Sequence, residues 1–251
     1  TLIRSLSPPL FLSLAASGVW GYAHRQHPGS FLGLWIVSFV VLAVLFEFWR
    51  GVRARRRAFG ESALAALSRL LARNRRRYGG YLVHLAVMMI GLAFVGDAFF
   101  KEETQGPLAA GEELSLANYS LQYEGLRQYP GRDGREVVEA TVSLYKDGKF
   151  LRRLQPRQDY FVVQRQPVTV PAVYSTVGED VYVLLVGWEE IGLQSATFKI
   201  YLNPLINWAW LGGALLVLGI VLAAWPSPGV GSPSSYAVRA SRQVAALGQG
   251  D

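Results

Sequence analysis

The stretch Arg75-Arg76-Arg77-Tyr78-Gly79-Gly80-Tyr81-Leu82-Val83-His84-Leu85 opens an apolar run that continues to Phe99 and Phe100. A run of that length can cross a bilayer, and arginines at one end fix which side that end faces. His84 therefore lies inside the hydrocarbon. An ionisable side chain there is costly without a partner, which makes it a candidate functional residue. On a helix, residues three, four and seven apart share a face, so Gly80, Met88 and Gly91 stand on the side of His84. Two glycines on that side predict a flat notch where a large planar ligand could lie. The residues alone leave three readings of His84 open: a hydrogen bond to a neighbouring helix, ligation of a haem or other metal, and a proton relay.

Working outward, three more apolar blocks appear. The predicted spans are about 6–22, 31–49, 79–98 and 204–225. Pro8 and Pro9 stand near the start of the first, where the first-turn amides lack helical acceptors anyway. The chain has 251 residues, 51% of them hydrophobic, and these blocks concentrate the excess. Ten of the 25 basic residues fall between Arg50 and Arg77, opposed only by Glu61, so the net charge of +7 reads as a cytoplasmic loop and not as a nucleic-acid site. Within this loop, 50–78, the spacing from Glu61 to Leu71 predicts an amphipathic helix against lipid phosphates. Glu47 reads as an interfacial carboxylate that snorkels or pairs with a nearby arginine, with a proton-carrying role as the alternative. His24 and His27 are three apart, but no third ligand stands near them, and they read as solvated. The chain starts at Thr1 without a signal-peptide pattern, which suggests a fragment of something longer.

Between the third and fourth spans, 101–203 has a different composition, eleven basic against fourteen acidic residues, with frequent turn signals. Alternation through Val138, Ala140, Val142 and Leu144 predicts a strand, and Asp147-Gly148 a tight turn into Lys149–Leu154. Further strands are predicted over Leu114–Tyr123, Tyr160–Gln164, Val168–Tyr174, Val181–Trp188 and Ala196–Leu202. Six or seven short strands make a small sandwich or barrel. With no cysteine in the chain, and no histidine or Gly-x-Ser-x-Gly elbow in this region, it carries no hydrolytic machinery. Glu179-Asp180 and Glu189-Glu190 are adjacent pairs whose side chains point opposite ways on a strand. The fold class is thus an α-helical integral membrane protein of four transmembrane helices, with an extracytoplasmic all-β domain before the last helix and a flexible cytoplasmic tail, 226–251. Both ends lie on the cytoplasmic side of the membrane, and the β domain on the outer side. Trp208 and Trp210 anchor one end of the last span and Trp225 the other, while Gly212, Leu216 and Gly219 offer a close-packing stripe.

Three segments carry a family resemblance: Phe48-Trp49-Arg50-Gly51-Val52-Arg53-Ala54-Arg55-Arg56-Arg57; Asn74 through Leu85; and Tyr201-Leu202-Asn203-Pro204-Leu205 running into Trp208-Ala209-Trp210-Leu211-Gly212-Gly213. The chain resembles the C-terminal part of the CcmF family of haem lyase components, which mature c-type cytochromes. The resemblance implies that His84 is an axial ligand of a transmembrane haem b; Gly80, Met88 and Gly91, which helical spacing places on the same face, would then pack the ring. It implies as partners the remaining segments of the lyase, the haem chaperone CcmE, apocytochrome c and thiol-handling factors such as CcmH, in a lipid membrane and without nucleic acid. The family's other axial histidine lies in an earlier span and has no match here, nor has its tryptophan-rich haem-handling motif. The chain therefore reads as one segment of a larger lyase, with a non-catalytic scaffold as the alternative. A transporter using His84 and Asp97 is a third reading, weakened by the lack of a repeat or broken-helix pattern.

Overall fold

A computed structural model describes residues 2–23, 27–131, 134–161, 166–189 and 195–226. Helix α1 (Leu2–Ala23) packs on α2 (Pro28–Phe59), where the Ser17 and Ser38 hydroxyls meet at 3.1 Å. It starts four residues before the predicted Leu6, so Pro8 and Pro9 lie inside the helix and not in its first turn. Helix α2 runs ten residues past the predicted end at Trp49, because the arginines and alanines that follow are good helix formers and carry the helix through the single Gly51 to Gly60. Gly60 stops it in the left-handed region, φ 65°, its N–H returning to Arg56 O. The Ser62 hydroxyl then caps α3 (Ala63–Arg73), and α4 follows as Arg75–Phe100.

Lys101 leads directly into the sandwich, which has ten strands among the described residues. One sheet has the order β1 (Glu102–Ala109), β10 (Ser195–Pro204), β9 (Glu179–Trp188), β8 (Ala172–Ser175). The other has β2 (Glu113–Leu116), β3 (Tyr119–Pro130), β4 (Glu136–Lys146), β6 (Arg157–Phe161), β7 (Gln166–Val170), with β5 (Lys149–Leu154) also on β4. The two faces close on Tyr123, Leu121, Leu144 and Val142 from one sheet and Phe198, Leu185, Ile200 and Val183 from the other, all fully or almost fully buried. Burial of that apolar surface holds the sandwich together.

Two predicted strands prove to be pairs. Leu114–Tyr123 folds back at Ala117-Asn118, which brings Leu116 opposite Tyr119, with Ala117 at φ 51°. Alanine is not a turn signal, so the alternation on both sides hid the hairpin. Val168–Tyr174 breaks at Pro171, which passes the chain from one sheet to the other. Strand β1 escaped the alternation rule because it is an edge strand with only Leu108 buried. Of the predicted strand Tyr160–Gln164, residues 162–164 lie outside the described ones, as do His24, Glu190 and the tail from 227 onward.

Antiparallel β1 and β10 pair from Glu102↔Leu202 to Ala109↔Ser195, and their membrane-proximal ends continue as α4 and α5 (Asn207–Ala224). The corner at Leu205, φ 63°, is held by Leu205 N–H to Gly178 O at 2.7 Å. Asn207 Nδ2 donates to Thr176 O and Asp180 Oδ1 at 2.6 and 2.5 Å. Among the described residues three helices are long and apolar enough to cross a membrane, Pro28–Phe59, Arg75–Phe100 and Asn207–Ala224. The molecule is an integral membrane protein with a β-sandwich between its last two long helices.

Candidate functional site

Helix α4 has two working faces. One carries Gly79, Val83, Ala86 and Ile90 and packs against α5. A Cβ at Gly79 would stand 2.6 Å from Ala223 N; one at Gly212 would stand 2.8 Å from Ala86 O; one at Gly219, 2.9 Å from Val83 N. Gly212 and Gly219 thus permit the close contact expected of them. The other face carries His84, which α5 leaves uncovered, and its side chain is exposed at the surface of the chain.

His84 Nδ1 lies 2.7 Å from the Gly80 carbonyl oxygen. A carbonyl oxygen only accepts, so Nδ1 carries the proton and the ring's lone pair sits on Nε2, directed away from that bond. Gly80 beside it is open, since a Cβ built there meets no atom within 4 Å. The face at Gly80 is therefore open space beside the His84 ring. At Gly91 the face meets α2, where a Cβ would touch Val37 Cγ2 at 3.7 Å. Met88, one turn above His84, is half-buried. With Nδ1 committed to a backbone carbonyl, Nε2 is the nitrogen that a metal ion could take, and a carbonyl on the other nitrogen is the usual orienting contact of a ligating histidine. The chemistry of the donor and the bare space at Gly80 fit a haem.

Toward the arginine-rich end of the same face, Arg77 Nε donates to Tyr81 Oη at 3.0 Å and Arg77 Nη2 to Glu47 Oε2 at 2.9 Å. Arg50 Nη1 holds the other carboxylate oxygen of Glu47 at 3.0 Å. Glu47 is thus paired with arginine, as its interfacial position led us to expect. Phe48 packs between Tyr78 and Tyr81, fastening α2 to α4 at this level. Elsewhere, His27 stacks edge-on to Phe100 at 5.5 Å, and Asp97 faces Lys101 at 3.9 Å; neither approaches His84 along α4. Among the described residues no three of His, Cys, Asp and Glu gather as a metal cluster.

Residues 99–204 match the family described as the CcmF C-terminal beta-sandwich. The cytochrome c-type biogenesis protein CcmF of Pseudomonas fluorescens is 27% identical over 224 residues, 89% of this chain and 32% of the relative. The chain corresponds to the C-terminal part of CcmF. Its likeness extends to the CcmF of Haemophilus influenzae, 27% identical over 77% of this chain and 28% of that protein. A solved structure of the cytochrome c heme lyase CcmF has the same fold, with a TM-score of 0.69 at 24% identity over 86% of this chain and 34% of that one. The chain spans about a third of the length of the CcmF relatives it matches.

The Arg77–Glu47–Arg50 group with Tyr81 was not singled out from the sequence as a unit. Its signal was present in half: Arg77, Tyr81 and His84 are spaced i, i+4, i+7 and must share a face. The other half, Glu47, sits thirty positions earlier and comes to Arg77 only through the packing of α2 on α4.

Proposed function

We propose that this chain is the part of a membrane haem lyase for c-type cytochrome maturation that supplies His84 as an axial ligand to a transmembrane haem b. The observation that carries the reading is the His84 ring itself, whose Nδ1–H is committed to Gly80 O at 2.7 Å, leaving Nε2 free at an open glycine. Support for the setting comes from relatives named as cytochrome c-type biogenesis proteins and from the position of His84 within a long apolar helix. A further histidine from the remaining segments of the lyase would share the hold on such a group, which would then be suited to electron transfer. When bound, such a haem supplies a one-electron couple that can keep a second haem ferrous while its vinyl groups take up the thiols of an apocytochrome CxxCH. This chain's own residues hold the imidazole tautomer through Gly80, keep the ring face bare, and fix α4 against α5 so that the ligand does not drift. Met88 and Gly91 complete the wall above His84.

The same reading has four crossings, α1, α2, α4 and α5, in a bacterial inner membrane. The arginines of α2, α3 and the start of α4 stay on the cytoplasmic side with both ends of the chain, and the sandwich projects into the periplasm. There it would meet CcmE, apocytochrome c and thiol-handling factors such as CcmH. The test is the absorption spectrum of the purified assembly. Wild type shows a low-spin haem, and His84→Ala loses it. An unchanged spectrum in His84→Ala removes the ligand assignment, and a haem-free assembly that still matures cytochromes points to a scaffold instead.

A further inference from the structure

Resting on the haem reading above, we propose that Arg77, braced by Glu47 and Tyr81 and joined by Arg50, is the anchor for the carboxylate arms of the haem whose iron His84 holds. A haem is amphiphilic, and its two carboxylates have to leave the hydrocarbon by the nearer polar boundary. Along α4, Arg77 is seven residues from His84, about 10 Å of rise, whereas Asp97 at the far end is thirteen residues away, about 20 Å, and is itself an anion. Helical side chains lean toward the helix N-terminus, so the imidazole and the guanidinium are displaced in the same direction and keep their separation.

The charges also fit. Arg50 and Arg77 flank the single carboxylate of Glu47 at 3.0 and 2.9 Å, which leaves the group one positive charge in excess. Arg77 spends Nε on Tyr81 and Nη2 on Glu47, so its planar fork is held in place by two bonds while its side chain stays 59% exposed on the face that carries His84. A guanidinium so oriented can offer its remaining donors to a second carboxylate in two-pronged fashion. Helix α2 bounds this strip at both ends, Val37 beside Gly91 and Glu47 beside Arg77.

The experiment compares equilibrium binding of haem b and of haem dimethyl ester, which has no carboxylates, by the apo form of the whole assembly. Wild type is expected to prefer haem b by roughly tenfold or more, the scale of a charge-assisted hydrogen bond. Arg77→Gln brings the preference toward unity and lowers the reduction potential of the bound haem, since a cation near the iron favours the ferrous state. Glu47→Gln moves the preference the other way, because it frees two arginines; a purely structural role would weaken both variants alike. Arg50→Gln and Arg77→Lys are the milder companions should Arg77→Gln not assemble, and both are expected to reduce the preference without abolishing it. An equal affinity of wild type for both compounds, or a preference unchanged in the Arg77 and Arg50 variants, overturns the anchor while leaving His84 as ligand. Retention of the low-spin spectrum in His84→Ala overturns the haem reading itself, and the anchor with it.

Discussion

Gly79 and Gly80 are neighbours in sequence and opposites in environment, and exchanging each for alanine separates the packing of this molecule from its proposed chemistry. A Cβ at Gly79 would lie 2.6 Å from Ala223 N and 2.8 Å from Ala223 Cα. Both atoms are backbone, ordinary contact begins near 3.4 Å, and no rotamer change relieves the clash. Helices α4 and α5 must separate by most of an ångström, or one must rotate and disturb Gly212 and Gly219 as well. Overpacking of this kind costs about 1–3 kcal/mol. At Gly80 a Cβ meets nothing within 4 Å, and replacing a mid-helix glycine by alanine gains up to about 1 kcal/mol of helix propensity. Thermal unfolding of the purified protein in detergent, followed by tryptophan fluorescence, reads both. Gly79→Ala is expected to melt several degrees below wild type and Gly80→Ala at or above it. The haem readout reverses the order, since Gly80→Leu, which leaves the α5 contact alone, fills the space beside His84 and lowers haem occupancy. Equal melting points for the two alanine variants would refute the packing argument.

At the membrane end of the sandwich, Glu179 accepts from Lys146 and Tyr119 at 2.6 and 2.7 Å. Burial pushes the Glu179 carboxyl up, but the hydrogen bonds from Lys146 and Tyr119 outweigh it and hold it below 4.5. The hydrogen bond to Glu179 raises Lys146 above its ordinary 10.5. The pair therefore stabilises fully above pH 4.5 and below pH 10.5, weakening as pH falls through the lowered carboxyl value or rises through the raised lysine value. Lys146→Met is expected to cost about 1 kcal/mol at neutral pH and to flatten the acid limb of a melting-temperature profile. Asn207→Ala unpins the β10–α5 corner and leaves Asp180, 4% exposed, without this donor, so it is expected to cost about 1–3 kcal/mol and to hasten proteolysis between the sandwich and α5. Glu61→Ala releases Arg55 and Arg69 together; the Arg55 hydrogen bond is the chief reason the Glu61 carboxyl titrates low, and cleavage by trypsin between α2 and α3 should accelerate.

Much of this was legible before any coordinates. Hydropathy marked the long helices, and the sandwich showed in the apolar alternation of Val138, Ala140, Val142 and Leu144, which enter the core, although Val137, Glu139 and Ser143 on the opposite face are buried as well. Ends were harder to place. Trp49 looked like a terminus because aromatic and charged residues mark an interface, yet an interface is a property of the membrane, and the helix simply continues through it to Phe59. The Ala117 turn was hidden for a different reason, since its left-handed backbone is imposed by pairing of β2 with β3 and not by the residue's own preference. In the site, helical spacing linked Gly80 to His84 correctly. It could not reveal that the Gly80 carbonyl, and not its missing side chain alone, takes hold of the ring, nor that the face meets α2 at Gly91.

The most direct test of the central claim is to replace His84 by glycine in the assembled protein and then add free imidazole. With the ring gone, the space beside Gly80 should admit the small base. The account predicts loss of the low-spin haem spectrum and its return, saturably, as imidazole occupies the vacated position. A spectrum that is unchanged by His84→Gly, or that is lost and returns with no dependence on imidazole, would contradict it.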